Sequence, residues 1–413
     1  MAQEILSLGT DVNILVITNV YPTPTEPERG VFTHQLIKTI QRDHNVTVVC
    51  PLPWFPSFWP FNRIRKYKHY ALVPKQYDYD NIKVYSPKYI LFPKLSESIH
   101  AYLLTIGIRK CVKSLHKSKP FSVIHSHWLY PDGVAASAIS EELRIPHLMT
   151  GLGCDINISL YQRGKRPKIL SALALADSIT VKANNLKLEL VKNGVPESRV
   201  EVIPNGIDLN KFSIMNRNRC RELLGMTADG PIILFIGRLS TEKDVNTLIS
   251  AAGLLKDTEA MPTIYLVGDG PLRHSLSSHA TNLGIADNVI FCGRVEHNKL
   301  KNWLGAADYL CLPSLREGCP NVVLEALACG KPVIGSRVGA IPDLVAKDSG
   351  VLFEPGNAED LARAIREATD LQWDQENIRA GVSQFTWDSA AKNYDRLYGS
   401  ISNDHKVSLE SSA

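Results

Sequence analysis

The sequence predicts an α/β protein with two doubly wound, Rossmann-like domains, and three observations support this fold class. The chain has 413 residues, more than one hydrophobic core usually organises. Short runs rich in β-branched residues alternate with amphipathic segments in both halves, a spacing typical of βαβ units and parallel sheets. A turn-forming cluster at residues 204–208 interrupts this series once, which indicates a hinge between two domains.

Each half contains six runs that we interpret as buried parallel strands. In the first half they are residues 14–17, 46–49, 123–124, 148–150, 179–181 and 200–203. In the second half they are residues 232–236, 264–267, 289–291, 309–312, 333–334 and 351–353. Ligands of open α/β sheets bind beyond the carboxyl ends of the strands, so we expect a functional cleft between two facing domains.

The same pattern sets the domain boundaries. Residues 1–205 form the first domain and residues 206–384 the second. A helical, aromatic-rich segment over residues 385–400 is predicted to pack back on the first domain. Residues 401–413 are polar and predicted to form a flexible tail.

Composition excludes several classes of protein. With 44% hydrophobic and 21% charged residues, the chain is neither disordered nor fibrous. No apolar run approaches the ~20 residues of a membrane span, and the start lacks a secretory signal, so we expect a cytoplasmic protein. The eight cysteines contain no Cys-x-x-Cys pair, which argues against a zinc ribbon and against a disulfide framework.

Basic and aromatic side chains concentrate within residues 54–119. Residues 61–120 alone hold 13 Lys and Arg against three Asp and Glu. This mixture suits an anionic membrane surface or a phosphorylated lipid, and peripheral association with the inner face of the cell membrane is one hypothesis. A solvated basic loop is the alternative. No nucleic-acid partner is expected, because no nucleic-acid-binding motif accompanies the charge.

Two segments of the second half carry the clearest chemistry. In the first, a strand ends at Gly237 and a helix starts near Asp244, so Arg238 and Lys243 stand beside backbone amides in an arrangement that suits a diphosphate. A solvated Arg and Lys on a loop rim is the alternative. In the second, a loop with Glu317 leads into a helix that carries Glu325.

The second segment combines an anion site with carboxylates. The free N–H groups at the start of its helix favour an anion. A carboxylate beside a phosphate repels it unless it binds neighbouring hydroxyls, so sugar and ribose hydroxyls are the natural partners of the two glutamates. Two glutamates eight positions apart are common, however, and alone they are weak support for a site that binds sugar hydroxyls.

These two segments, in this order, resemble glycosyltransferase family 4, the retaining nucleotide-sugar enzymes with a GT-B fold. Five further stretches of the second half match the family pattern: residues 203–208, 267–271, 291–295, 306–308 and 336–342. Four shorter stretches of the first half match it: residues 21–22, 29–30, 125–128 and 151–155. The resemblance covers roughly residues 12–400 and is more specific for the reaction class than for the substrate.

The resemblance implies a role for each domain and for each site residue. The first domain would bind the acceptor and the second the nucleotide sugar. Arg238 and Lys243 would hold the donor diphosphate, Glu317 the transferred sugar, and His127 the sugar or the acceptor. The donor-binding residues that it implies are Gly30, Gly237, Gly293, Arg294, Val295, Gly318, Cys319, Pro320, Asn321, Val322 and Glu325. Gly30 would allow close approach to the phosphates, although residue 29 is Arg where many relatives have a second glycine.

Two motifs could suggest a metal. His125 and His127 point to one side of an extended chain, but no third ligand is evident, and an ordinary strand-end histidine is the alternative for His127. Asp78 and Asp80 form an Asp-x-Asp in a basic region, which we interpret as a surface loop. We therefore expect no metal and no cofactor.

The resulting prediction is transfer of a hexosyl unit from a nucleoside diphosphate sugar to a glycan or lipid-linked acceptor hydroxyl, with retention, in polysaccharide or glycolipid biosynthesis. No residue stands out as a nucleophile for double displacement, which favours attack on the same face. Two alternatives remain open: a nucleotide-sugar 2-epimerase of the same fold, and a non-catalytic partner protein that has kept the fold.

Overall fold

The computed structural model describes residues 12–54, 68–92, 96–226 and 230–410. The chain divides into two units, each with its own sheet. The first contains the described residues up to Pro204 together with those from Trp387 onwards, and the second is Asn205–Thr386. The predicted residues Phe55, Phe58, Trp59 and Phe61 of the aromatic stretch lie outside the described residues.

The first unit has a sheet of eight strands and a separate pair. Its strands are β1 (Asn13–Ile17), β2 (Asn45–Val49), β3 (Leu52–Trp54), β4 (Gln76–Tyr79), β5 (Ile82–Tyr85), β6 (Lys88–Ile90), β7 (Val123–His127), β8 (His147–Gly151), β9 (Ser178–Val181) and β10 (Val200–Val202). The sheet order is β10-β9-β8-β7-β1-β2-β5-β4, and β3 pairs with β6. All neighbours are parallel except β4, which runs antiparallel to β5 at the edge.

Helices cover both faces of this sheet. They are α1 (Val31–Ile40), α2 (His100–Ser118), α3 (Val134–Leu143), α4 (Cys154–Asn157), α5 (Arg166–Leu175) and α6 (Asn184–Lys192). In β1, Ile14 and Val16 pack in one core with α1, while Leu15 and Ile17 pack in the other with α2. Because alternate side chains of a strand face opposite sides, a strand covered on both faces is apolar throughout.

The Asp-x-Asp motif lies on the edge hairpin of this sheet, where the sequence suggested a loop. Asp78 is in β4, and Asp80 lies in the turn to β5 with φ 50°. The Asp80 carboxylate accepts hydrogen bonds from Lys38 at 2.7 Å and from His34 at 3.2 Å. The strand was missed because its residues are polar and half-exposed, which is tolerated in an edge strand.

The second unit has one sheet of six parallel strands. They are β11 (Ile232–Ile236), β12 (Thr263–Val267), β13 (Val289–Gly293), β14 (Tyr309–Leu312), β15 (Val333–Ser336) and β16 (Gly350–Phe353), in the order β13-β12-β11-β14-β15-β16. Its helices are α7 (Arg217–Leu224), α8 (Val245–Gly253), α9 (Arg273–Asn282), α10 (Leu300–Ala306), α11 (Asn321–Ala328), α12 (Ile341–Leu344), α13 (Ala358–Asp370) and α14 (Gln375–Gly381). The strand order reverses between β11 and β14, where α/β sheets bind their ligands.

The last helix, α15 (Trp387–Glu410), returns to the first unit. Tyr394 and Tyr398 are completely buried in the core that contains Ile14 and Val16. The predicted tail from residue 401 is wrong for its first ten residues, because the helix continues to Glu410. Ile401 is also buried in this core, so the apolar face of the helix extends one turn beyond Leu397.

Candidate active site

The two predicted motifs follow neighbouring strands of the second unit. β11 leads into the loop with Arg238 and Lys243, and its parallel neighbour β14 leads into the loop with Glu317. The Lys243 Nζ donates a hydrogen bond to the Glu317 Oε1 at 2.5 Å. The Ser314 hydroxyl donates to the same oxygen at 2.6 Å. Two of the predicted catalytic residues therefore form one ion pair at the strand switch.

Backbone contacts fix the position of the Glu317 loop. The Leu315 N–H donates to the Glu242 carbonyl at 2.9 Å, which ties this loop to the loop that carries Lys243. The Ala340 N–H donates to the Gly318 carbonyl at 2.8 Å. Gly339 has φ +58°, and a Cβ there would lie 2.7 Å from the Glu317 carbonyl oxygen. Only a residue without a side chain allows this approach.

Arg238 differs from Lys243 in its surroundings. Its side chain is exposed and makes no hydrogen bond or ion pair with any residue that the structure describes. Its charge acts at a distance, however. Backbone and Ser240 hydrogen bonds hold the pKa of Glu242 below its usual value, and the charges of Arg316 and Arg238 contribute less in the same direction. Among the described residues, the guanidinium therefore has no counter-ion in contact.

Glycines bring the backbone after β11 against the backbone after β12. The Gly237 N–H donates to the Val267 carbonyl at 2.9 Å, and a Cβ on Gly268 would lie only 1.8 Å from the Gly237 carbonyl oxygen. A Cβ on Gly270 would lie 2.2 Å from the Leu239 carbonyl oxygen. Gly268 and Gly270 were not predicted as site residues, although the Gly-x-Gly after a strand was a usable signal.

Glu325 is the buried end of a hydrogen-bonded chain that also contains His297 and Lys211, which are both partly exposed. It lies in α11 with 3% of its surface exposed, and its Oε1 accepts a hydrogen bond from the His297 Nε2 at 2.7 Å. The Lys211 Nζ donates to the His297 Nδ1 at 2.9 Å. Because an ammonium has no acceptor, the His297 proton must be on Nε2. Burial lowers the pKa of Lys211, and the Glu325 charge opposes that shift.

The start of α11 lies between the two glutamates. Pro320 precedes the helix and provides no side-chain cap, so the first N–H groups have no side-chain partner at that position. Asn321 is buried, and its Oδ1 has no hydrogen-bond partner among the described residues. Cys319 and Val322 are partly buried on either side. The predicted sugar-binding loop thus ends in a helix start that presents polar groups.

Of the predicted donor-binding residues, Gly293 ends β13, two strands from β11, and Arg294 and Val295 follow it. Gly293 has φ +73°, and its carbonyl accepts a hydrogen bond from the Gly268 N–H at 2.7 Å. Arg294 is exposed and Val295 is partly buried. This end of β13 is therefore connected through Gly268 to the backbone at Gly237.

In the first unit, Gly30 precedes α1 with φ +63°. A Cβ there would lie 2.2 Å from the Val20 carbonyl oxygen. A side chain at this position would therefore displace the loop after β1. Packing within the unit gives a sufficient reason for this glycine, whatever it contacts in a ligand.

His127 ends β7 and is buried. Burial, with the nearby Lys182 charge, lowers its pKa to about 3, so the ring is neutral. Its Nε2 has no hydrogen-bond partner within the described part of the chain. The His125 and His127 rings lie 4.1 Å apart, as their spacing predicted. His125 instead contacts the hydroxyls of Tyr398 and Thr150, at 2.7 and 2.8 Å.

Both ring nitrogens of His125 thus already have hydrogen-bond partners within the protein. Across the described residues, no group of three or more His, Cys, Asp and Glu side chains could hold a metal ion. In those same residues, no helix is both long and apolar enough to cross a membrane.

Comparisons with known proteins match both units. The profile of the family described as Glycosyltransferase Family 4 matches residues 30–211, and that of Glycosyl transferases group 1 matches residues 217–383. The putative teichuronic acid biosynthesis glycosyltransferase TuaC of Bacillus subtilis is 31% identical over 361 residues, which cover 86% of this chain and 88% of TuaC. D-inositol 3-phosphate glycosyltransferase 2 of Catenulispora acidiphila is 31% identical over 312 residues, 70% of this chain and 72% of that protein.

Solved structures match nearly the whole chain. Sucrose-phosphate synthase of Thermosynechococcus elongatus superposes with a TM-score of 0.73 at 21% identity, covering 94% of this chain and 99% of that one. HepE of Anabaena, solved in complex with UDP, superposes with a TM-score of 0.71 at 21% identity, covering 94% and 100%. At these identities the likeness concerns the fold, and the predicted GT-B fold is confirmed.

Proposed function

The chain belongs to glycosyltransferase family 4, and on that premise we propose that it moves a hexosyl unit from a nucleoside diphosphate sugar to an acceptor hydroxyl, with retention at the anomeric carbon. The ion pair between Lys243 and Glu317 at the strand switch carries this proposal. The Lys243 ammonium suits the negatively charged leaving diphosphate, and the Glu317 carboxylate suits the hydroxyls of the transferred sugar.

The cations perform the main catalytic work in this proposal. Lys243 uses one of its three N–H donors on Glu317, so two remain for phosphate oxygens. Arg238 adds a planar guanidinium that has no counter-ion in contact within the described part of the chain. As the bond to the sugar breaks, negative charge grows on the diphosphate, and cations already in place stabilise it without reorganisation. These two cations are proposed to serve where other glycosyltransferases use a metal ion.

Same-face attack follows from the state of Glu317. Its Oε1 accepts hydrogen bonds from Lys243 at 2.5 Å and from Ser314 at 2.6 Å. Hydrogen bonds from two donors stabilise the carboxylate and weaken it as a nucleophile. We therefore propose that the acceptor hydroxyl attacks from the side of the leaving group and that a donor phosphate oxygen takes its proton.

Other residues of the second unit are proposed to bind the ribose and the base of the donor. Glu325 would accept hydrogen bonds from the ribose hydroxyls through the oxygen that His297 does not occupy. Lys211 fixes the tautomer of His297 and so fixes the orientation of the carboxylate. Backbone groups from Gly293 to Val295 would form hydrogen bonds with the base. Asn321 would accept a hydrogen bond from a sugar hydroxyl at its Oδ1, which has no partner among the described residues.

The acceptor is proposed to be a glycan or lipid-linked molecule bound through the first unit and His127. The name of TuaC points to polysaccharide biosynthesis, and that of the Catenulispora relative to inositol phosphate. Within the described part of residues 54–119, Tyr102 of α2 is 66% exposed and Ile106 is 49% exposed, with Lys110 on the same helix. Such a surface supports contact with anionic lipid.

One experiment tests the reaction. A panel of nucleotide sugars is first scored by thermal shift, and the donor that binds is then incubated with candidate acceptors. Proton NMR of the product identifies the anomeric configuration. Retention supports the proposal, and inversion contradicts it. An epimer formed from donor alone would indicate the 2-epimerase instead, and binding without turnover would indicate a non-catalytic protein.

Two further measurements test the finer parts of the proposal. Turnover should survive a metal chelator, because Arg238 and Lys243 provide the charge; complete loss of turnover would contradict metal independence. Binding to vesicles that contain anionic lipid should exceed binding to neutral vesicles at low salt and should weaken at high salt. Equal binding to both would contradict the membrane surface.

A further inference from the structure

A polar cavity lies in the second unit, at the ends of its strands opposite the Lys243 and Glu317 loops. It has a volume of about 180 Å³, and its lining includes Arg217, Asp308, Lys331, Trp373 and Gln375. Asp308 immediately precedes β14, and Lys331 lies two residues before β15. The cavity is therefore at the amino-terminal ends of the parallel strands, whereas the Lys243 and Glu317 loops follow the carboxyl-terminal ends.

Asp308, the carboxylate in this lining, accepts three hydrogen bonds from the protein. The Arg217 Nη1 donates to the Asp308 Oδ1 at 2.7 Å. The Arg221 Nη2 donates to the Asp308 Oδ2 at 2.7 Å, and the Ile232 N–H donates to the same oxygen at 2.8 Å. Two guanidinium groups thus share one carboxylate, which leaves a positive charge in excess before Lys331 is counted.

The Asp308 carboxylate attracts the charge of Lys331, but the two groups do not form an ion pair. Only 2% of its surface is exposed, and its Nζ makes no hydrogen bond or ion pair with any described residue. Burial lowers its pKa; the charge of Asp308 opposes that shift, and the charge of Arg217 adds to it. A buried ammonium without a hydrogen-bond acceptor is costly to the fold. A bound anion would remove that cost, because it supplies both the acceptor atoms and the opposite charge.

We propose that this cavity binds a phosphate group, as inorganic phosphate or as a small phosphomonoester. Lys331 supplies a point charge with three donors, and Arg217 supplies N–H groups beyond the one it gives to Asp308. The volume is below the roughly 300 Å³ of ordinary small-molecule pockets, so a nucleotide is too large.

Trp373 in the lining of the cavity is compatible with a small phosphomonoester. The Trp373 Nε1 donates to the Ala368 carbonyl at 2.9 Å, so its indole offers only an apolar surface, which suits a short carbon group. The cavity is independent of the donor site and of the proposed reaction.

The test measures phosphate binding by the full-length protein. Thermal unfolding and calorimetry are run with inorganic phosphate and with glycerol 3-phosphate, against sodium chloride at equal ionic strength. The variants are Lys331→Met, the donor-site variant Lys243→Met, and Lys347→Met, which removes an exposed lysine of the same unit as a matched control. Circular dichroism checks that each variant folds. Arg217→Gln, at an exposed side chain, provides a second variant if Lys331→Met does not fold.

Phosphate should raise the melting temperature of the wild type in a saturable way. The apparent dissociation constant should rise at least about tenfold in Lys331→Met and in Arg217→Gln, and should not change in Lys347→Met or Lys243→Met. Tighter binding of the ester would identify a phosphomonoester, and equal or weaker binding would identify free phosphate. A response that is lost in Lys243→Met and kept in Lys331→Met would overturn the proposal, as would the absence of any saturable response.

Discussion

Replacement of Lys243 by methionine tests the donor site most directly. Methionine keeps an unbranched side chain of similar length and removes the charge and the hydrogen bond to the Glu317 Oε1, now 2.5 Å. A charge-assisted hydrogen bond contributes about 1.5–3 kcal/mol, so affinity for the nucleoside diphosphate should fall by about 10- to 150-fold. Turnover should fall by about 10²- to 10³-fold, because the charge on the leaving group develops further in the transition state.

In this variant the free energy of unfolding should change less than the free energy of binding to the nucleoside diphosphate. The pair is part-buried, with 26% of the Lys243 side chain and 10% of the Glu317 side chain in solvent, and Ser314 still donates to Glu317, so its loss should cost about 1 kcal/mol. For a unit of this size that amounts to a fall of about 2 to 4 °C in melting temperature. Calorimetry with the nucleoside diphosphate, steady-state kinetics with the full donor and thermal unfolding without ligand separate the three quantities. Lys256→Met, at an exposed position of the same unit, is the matched control.

Glu317→Gln separates two ways in which Lys243 could act. If the ammonium contacts the diphosphate itself, Glu317→Gln should lower turnover and leave the affinity for the nucleoside diphosphate within about threefold, since the sugar is absent from that ligand. If Lys243 only positions Glu317, both variants and the double variant should show the same losses. Wild-type affinity and turnover in Lys243→Met would refute the reasoning altogether.

Three further predictions concern the backbone, the buried histidines and ribose recognition. Gly268→Ala should unfold at a much lower temperature, because its Cβ would lie 1.8 Å from a carbonyl oxygen at φ +135°, whereas Gly381→Ala, with open space around it, should be nearly neutral. Burial lowers the pKa values of His127 and His147 to about 3, below the ordinary 6.5. The unfolded state therefore binds more protons between these values, and the free energy of unfolding should fall as pH drops from about 6.5 towards 3. In His127→Gln that fall should be shallower in urea titrations, and an unchanged pH dependence would contradict it. Glu325→Gln should weaken binding of the ribonucleoside diphosphate by about tenfold while binding of the 2′-deoxy analogue changes little, and equal losses for both would exclude a role at the 2′-hydroxyl.

Local signals in the sequence predicted the second unit well. Each of its six strands is a short apolar run, and the loops that carry Arg238 and Glu317 follow two of them, so both loops were expected at the carboxyl ends of the strands. The first unit was harder. The edge strand of Asp78 is polar and half-exposed, and such a strand has no apolar run to reveal it.

Tertiary contacts explain what the sequence could not reveal. Lys211 and His297 are 86 positions apart, and His297 and Glu325 are 28 apart, so no local pattern joins them. The ion pair of Lys243 with Glu317 spans 74 positions. The order of the strands decides that the two loops meet, and that order follows from packing of the whole sheet rather than from either segment.

The path of the backbone around the second unit has a practical consequence. The Ile207 N–H donates to the Phe385 carbonyl at 2.8 Å, and residues 207 and 386 form a parallel bridge, so this unit starts and finishes at adjacent points. A segment with neighbouring ends behaves as a cassette that can be exchanged as one piece. A hybrid enzyme made by a single crossover would inherit α15 from the wrong parent and leave Tyr394 and Tyr398 against a foreign core. Transplantation of nucleotide specificity between relatives therefore calls for two junctions, one near residue 205 and one near residue 386.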